Sequence, residues 1–192
     1  MGKNNNRNPL TRSLVVGAFT FILAIIASFA SQFILEKITS LILAFIILGI
    51  IILIGIIFDI IGVAATVASD KPFHAKAAKR IPGARQAIRI VNNASSVASF
   101  ANDVVGDISG TLSGAVGAVI VLRLVMEEAS STQVMAGTIM TAFIAALIVG
   151  GKAFGKHIAI EKADDIVFYV GKLLAWWERI FNVEFFVNGK RR

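Results

Sequence analysis

The chain contains no cysteine among its 192 residues. Disulfides, thiolate metal sites and lipidated cysteine anchors are therefore excluded. Charge is also scarce: 16% of residues are charged, where a soluble domain carries about a quarter. Histidine occurs only at His74 and His157, neither in an HExxH zinc-protease pattern. No GxSxG nucleophile turn and no phosphate-binding glycine loop is present, so nothing in the sequence supports an enzyme.

What the sequence has instead is apolar length, with 56% of its residues hydrophobic. Residues 13–35 and 129–151 are each uncharged over 23 positions, and 38–58 over 21. A helix of about 20 apolar residues spans a bilayer core. The expected fold class is an all-α integral membrane protein with four transmembrane helices, at about 13–35, 39–66, 103–125 and 133–151. The first run also follows a basic stretch, MGKNNNRNPLTR, and contains small residues in ASFASQ, as a secretory signal would. It is longer than the 7–15 residues of a signal's apolar core, which favours a span.

The net charge of +7 is distributed as membrane topology requires rather than as a nucleic-acid surface. Lys71, Lys76, Lys79, Arg80, Arg85 and Arg89 lie between the second and third spans. Lys3, Arg7 and Arg12 precede the first span, and the chain ends GKRR. The other two connections, LEKITS and MEEASSTQ, are near-neutral or acidic. Four crossings with both termini cytoplasmic satisfy all five segments, in the cell (inner) membrane of a prokaryote. The expected partner is the lipid bilayer, and no nucleic acid.

Ile81-Pro82-Gly83 should break the 73–97 segment into a juxtamembrane helical hairpin. Residues 157–182 should form an amphipathic helix, with Ile166, Val170, Leu173, Leu174, Trp177 and Phe181 at helical spacing. Trp176 and Trp177 suit the headgroup region, so this helix either lies on the membrane surface, packs on the juxtamembrane helices, or does both.

Ionisable residues inside spans are costly and mark functional candidates. Asp59 sits within the second apolar run, and its bland reading is a span that ends near residue 59. Asp103 and Asp107 open the third span, in NDVVGDISGTLSG. With Gly110, Gly114 and Gly117 they fall on one helical face. Gly106, Gly110 and Gly114 also repeat the GxxxG spacing that lets helices approach closely. Packing alone explains the glycines but does not need two carboxylates on the stripe. Hard cations such as Mg2+ take oxygen ligands, often one or two carboxylates with retained waters. The candidate ligand set is Asp59, Asn102, Asp103, Asp107, Ser109 and Ser113, with Lys152 at the end of the fourth span setting the local charge.

The order of segments over about residues 42–182 resembles the transmembrane domain of the CNNM/CorB magnesium-transporter family. FDIIGVAAT at 58–66 stands where that family has a pattern like FSGSExAxxS. Asp59 takes the place of the first serine, Ile61 the second and Gly62 the glutamate. ANDVVGDISG resembles the family's GNTLVN-like segment, placing Asn102 and Asp107 at polar positions of the kind that bind the ion. GKAFGKHIA at 151–159 resembles GEIxPKxxA: Lys156 matches the lysine, Lys152 replaces the glutamate and Gly155 the proline. The resemblance implies transport of Mg2+ or Co2+ with no organic cofactor, and Lys152 and Lys156 tuning the site. It also implies a homodimer, served by the glycine stripe.

Residues 1–38 would be a cytoplasmic tail and an extra span, and 39–192 the CNNM/CorB-like domain. No CBS-pair nucleotide-sensing domain is recognisable, so regulation would come from a separate soluble protein. A lysine in place of the glutamate leaves two other readings open. One is a non-transporting scaffold or accessory subunit whose Asp–Lys pair is structural. The other is an anion or organic-solute carrier in which Lys152 contacts the substrate.

Overall fold

A computed structural model describes residues 9–37, 40–125 and 130–181. The chain termini, the Ile38–Thr39 connection and residues 126–129 of the acidic turn lie outside the described residues. Every regular element among the described residues is helical. In order these are α1 (Pro9–Lys37), α2 (Leu41–Val67), α3 (Lys71–Ala78), α4 (Ala84–Asn92) and α5 (Ala94–Ala98). A π-helical segment, Ser99–Gly106, then leads into α6 (Asp107–Leu124), α7 (Ser130–Glu161) and α8 (Ala163–Phe181). Four stretches are long and apolar enough to cross a membrane: Ser13–Phe33, Leu41–Val67, Ala94–Leu124 and Ser131–Glu161. The chain is an all-α membrane protein.

Two boundaries differ from the sequence expectation. The third span does not begin at Asp103, because the chain is already helical from Ala94. Asp103 and Asp107 therefore lie two to three turns inside a helix rather than at its opening. The fourth helix runs ten residues past Gly151, to Glu161, and the amphipathic helix begins only at Ala163. Nothing in GKAFGKHIAIE breaks a helix, since an isolated glycine costs about 1 kcal/mol and no proline follows.

The chain divides into two compact units. The first comprises Met1–Ile52 and Ile108–Ile144. Within it Ala44, Leu48 and Ile52 of α2 are buried at four-residue spacing, as are Ser109, Ser113, Val116 and Ile120 of α6. Gly117 is buried too, and a Cβ there would overlap the Ile144 side chain of α7. Described α1 side chains from Ser13 to Phe33 stay exposed or half-exposed, as expected of a helix whose surroundings are lipid.

The second unit comprises Leu53–Asp107 and Ala145–Arg192. Its core gathers Ala64, Ala65 and Ala68 of α2, Phe73 of α3, Ala87 and Ile90 of α4, Ala159 of α7, and Ala163 and Val167 of α8. The expected helical hairpin is present as α3 and α4. Between them Arg80 and Gly83 both have positive φ, 56° and 89°, so the chain reverses tightly where Pro82 prevents α3 from continuing. α4 buries Ala84, Ala87 and Ile90 on one side and packs against α8. The side chains of Gln86 and Arg89 meet Glu178 from across that contact, at 2.7 and 3.5 Å. At the other end of α8, the Ser69 amide donates to Asp164 Oδ1 at 2.8 Å. Lys76 and Lys172 lie 3.9 and 4.6 Å from the centroid of the Phe168 ring, within cation–π range.

Gly171 sets how closely α8 can approach. A Cβ at this position would stand 2.6 Å from the Gly83 carbonyl oxygen and 2.9 Å from the Ala87 amide nitrogen, both backbone atoms that cannot swing away. Gly171→Ala should therefore destabilise this unit by about 1–3 kcal/mol, the usual cost of overpacking. Gly114→Ala, where a Cβ meets nothing within 4 Å, should be neutral or stabilising by up to about 1 kcal/mol through helix propensity. Thermal unfolding of both variants in detergent checks the contrast.

Candidate functional site

α2 carries its buried positions as one stripe: Ala44, Leu48, Ile52, Gly55, Asp59 and Gly62, three or four residues apart. This spacing keeps one face of a helix turned inward. Asp59 belongs to that stripe and is only 4% exposed. Measured along α2 from Leu41 at 1.5 Å per residue, it stands about 27 Å in. A hydrocarbon core is about 30 Å thick. Asp59 thus lies within the apolar span, in the half of α2 that leads to the basic hairpin.

Its partner is Lys152 of α7, whose Nζ is 3.7 Å from Asp59 Oδ1. The lysine reaches there past Gly106, the last residue of the π-helical segment. A Cβ on Gly106 would stand 3.3 Å from the ammonium nitrogen. One turn beyond Asp59 on α2, Gly62 faces the Asn102 side chain, and a Cβ at Gly62 would overlap Asn102 Oδ1. The absent side chain at Gly62 thus leaves the space that the Asn102 amide occupies.

Three helices are held this close by glycine. A Cβ at Gly151 of α7 would overlap Ile56 Cδ1, and one at Gly155 would stand 2.7 Å from Ile60 Cγ1. Gly151-x-x-x-Gly155 is a small-residue motif that seats α7 on α2, directly beside Lys152. The structure thus brings Asp59, Asn102 and Lys152 together.

The polar atoms of this cluster are incompletely satisfied. Asp59 Oδ2 and Asn102 Oδ1 are both buried, and neither accepts a hydrogen bond. Buried polar groups are paired in more than about nine cases in ten, so two orphan acceptors in one cluster require a reason. Asp59 has the Lys152 ammonium beside its other oxygen, and the Asn102 amide packs one turn further along α2, against Gly62.

The other candidates are placed differently. Asp103 and Asp107 are exposed, and no group of three or more His, Asp or Glu residues converges on a point among the described residues. The expected convergence of three aspartates does not occur. Along a helix Asp103 and Asp107 share a face with Gly110 and Gly114, and that is the outward face. Gly110 and Gly114 have nothing within 4 Å of a built Cβ. Ser109 and Ser113 are buried and belong to the other unit. The Ser113 hydroxyl donates to the Ser109 carbonyl at 2.7 Å, so its proton is committed within its own helix. Lys156 is exposed, one turn past Lys152.

Gly151 and Gly155 are the positioning residues that sequence reasoning passed over in favour of the glycines of α6. Their signal was present as GxxxG spacing in GKAFG. The π-helical turn carrying Asn102 has no comparable sequence signal, although such turns recur at functional sites. Compared with protein-family models, curated proteins and solved structures, the chain finds no match.

Removing one partner of a buried ion pair is costly because the other charge is left without compensation. Lys152→Met should lower stability by about 3 kcal/mol. The double variant Asp59→Asn/Lys152→Met should recover most of that loss. Lys156→Met, at an exposed position, should change stability by less than about 0.5 kcal/mol. Denaturation of the three variants in mixed micelles reads these differences directly.

Proposed function

We propose that the chain is a membrane transport protein for a divalent cation, Mg2+ or Co2+, and that the Asp59–Lys152 pair is the closed, ion-free state of its site. The observation that carries this reading is the pair of buried oxygens, Asp59 Oδ2 and Asn102 Oδ1, that accept no hydrogen bond. A hard cation needs such oxygens. Mg2+ keeps several waters and takes only one or two carboxylates from protein, so one aspartate and one amide suffice where three aspartates had been expected. Lys152 then serves as a tethered cation that neutralises Asp59 when no ion is present. Its side chain is 24% exposed and flexible, so it can withdraw when an ion arrives. Asp103 and Asp107, exposed on the same helix, would attract cations to the approach.

The reading agrees with the resemblance to the CNNM/CorB family at one further point. Gly62, which stands where that family has its glutamate, is the position against which the Asn102 amide packs. An oxygen from a neighbouring helix thus takes the space of the absent carboxylate. Six cations between Lys71 and Ala98, with no acidic residue among them, support a cytoplasmic face at this end of the spans and cytoplasmic termini in the cell membrane. The outward face of Gly110 and Gly114 would serve a homodimer.

The competing reading is a scaffold or accessory subunit in which the ion pair locks helices. The absence of a three-ligand cluster among the described residues favours it. Ion flux separates the two. Proteoliposomes should take up Mg2+ or Co2+ above protein-free vesicles, with little Na+ or anion flux. Asp59→Asn should reduce uptake by more than the roughly 10–100-fold that follows loss of an outer-shell partner. Wild-type vesicles no leakier than controls, or flux indifferent to Asp59→Asn, would leave the scaffold reading standing.

A further inference from the structure

The apolar stripe of α8 is only partly used by the fold. Val167 and Gly171 are buried against the core, whereas Leu173, Trp176, Trp177 and Phe181 remain about half exposed or more. Beside that stripe runs an open groove of about 460 Å3, within the roughly 300–1,000 Å3 typical of small-molecule sites. Val170, Leu174 and Trp177 form its α8 wall. Phe58 and Ile61 of α2 form the second, and Val97 of α5 and Phe100 of the π-helical segment the third. Its lining is almost wholly hydrocarbon and aromatic.

What fills such a groove depends on the solvent at its mouth. Phe58 lies about 26 Å along α2 from Leu41, inside a core about 30 Å thick. The mouth therefore opens where lipid tails are, and water there would face an apolar wall at high cost. Two of its lining residues, Phe58 and Ile61, belong to the apolar span Leu41–Val67 itself. Charge selects the headgroup. The segment from Lys71 to Ala98 supplies six cations and no anion, of which Arg89 is engaged by Glu178 of α8. Clusters of this kind beside a span attract anionic lipids.

We infer that this groove is a lipid-binding site that takes an acyl chain of an anionic phospholipid, with Trp177 against the chain and the basic residues of α3, α4 and α8 near the headgroup. The site does not depend on whether an ion passes Asp59.

Trp176 and Trp177 are the only tryptophans in the chain, so intrinsic fluorescence reports on α8 alone. In the Trp176→Phe variant only Trp177 remains. That variant, reconstituted in phosphatidylcholine vesicles, would be titrated with phosphatidylglycerol or phosphatidylcholine brominated on the acyl chain. Quenching should saturate at low mole fraction, with half-saturation roughly fivefold lower for the anionic lipid. Val97→Phe should remove the saturable component by filling the groove. Should that variant not fold, Leu173→Phe tests the same point from an exposed position. Four results would each overturn the site: quenching that rises only in proportion to bulk bromolipid, quenching indifferent to headgroup, quenching unchanged in the filled variants, or quenching by aqueous iodide in place of bromolipid.

Discussion

A carboxylate placed on the packing face of a membrane helix is the constraint around which the second compact unit is organised. Asp59 occupies the position in the α2 stripe where Ala44, Leu48 and Ile52 set the pattern. An isolated charge at that depth costs several kcal/mol. Lys152 offsets the cost, but only partly, since it lies 3.7 Å from one oxygen and the second accepts nothing. Hydrophobic residues of similar size would be as stable or more so. The pair is therefore poorly explained by stability alone, and this is the physical basis for giving it a role.

The surrounding glycines are consequences of that choice. For a lysine on α7 to reach a carboxylate on α2, the two helices must approach closely, and Gly151 and Gly155 accept Ile56 and Ile60 at the contact. Where the ammonium passes the π-helical segment, Gly106 leaves it room, since a Cβ there would stand 3.3 Å from Nζ. For an amide to approach α2 one turn away, residue 62 must lack a side chain. Four glycines on three helices serve one polar cluster. The glycines of α6 that look most like a packing motif, Gly110 and Gly114, instead face outward.

That reversal shows what could be read from the sequence and what could not. Span number, the Pro82–Gly83 hairpin and the amphipathic C-terminal helix are all carried by local signals: apolar length, a helix breaker and 3.6-residue periodicity. Asp59 and Lys152 were likewise recognisable, because charge in an apolar run stands out in one dimension. Which glycine stripe faces inward depends on partners supplied by other segments, and both stripes satisfy the same spacing. The convergence of Asp59, Asp103 and Asp107 failed for a related reason. Helical periodicity places Asp103 and Asp107 on one face, but the rotation of that face is set by the larger side chains opposite. Val104, Val116 and Ile120 are buried, so the carboxylates point out. The π-helical segment was invisible because its wider turn arises from tertiary fit rather than residue type.

The polar cluster and the apolar groove share two walls. Phe58 and Asp59 are consecutive on α2, and Ala101 and Asn102 are consecutive in the π-helical segment. In each pair the first residue lines the groove and the second belongs to the cluster. Successive residues of a helix point about 100° apart, so one turn of backbone presents a hydrocarbon surface to one side and an oxygen to the other. A lipid chain that filled the groove would press on the side of the π-helical segment bearing Phe100 and Ala101. The position of the Asn102 oxygen relative to Asp59 would then follow from how the groove is filled. Bilayer composition and the acceptor geometry at Asp59 would in that case be coupled through a single turn of helix.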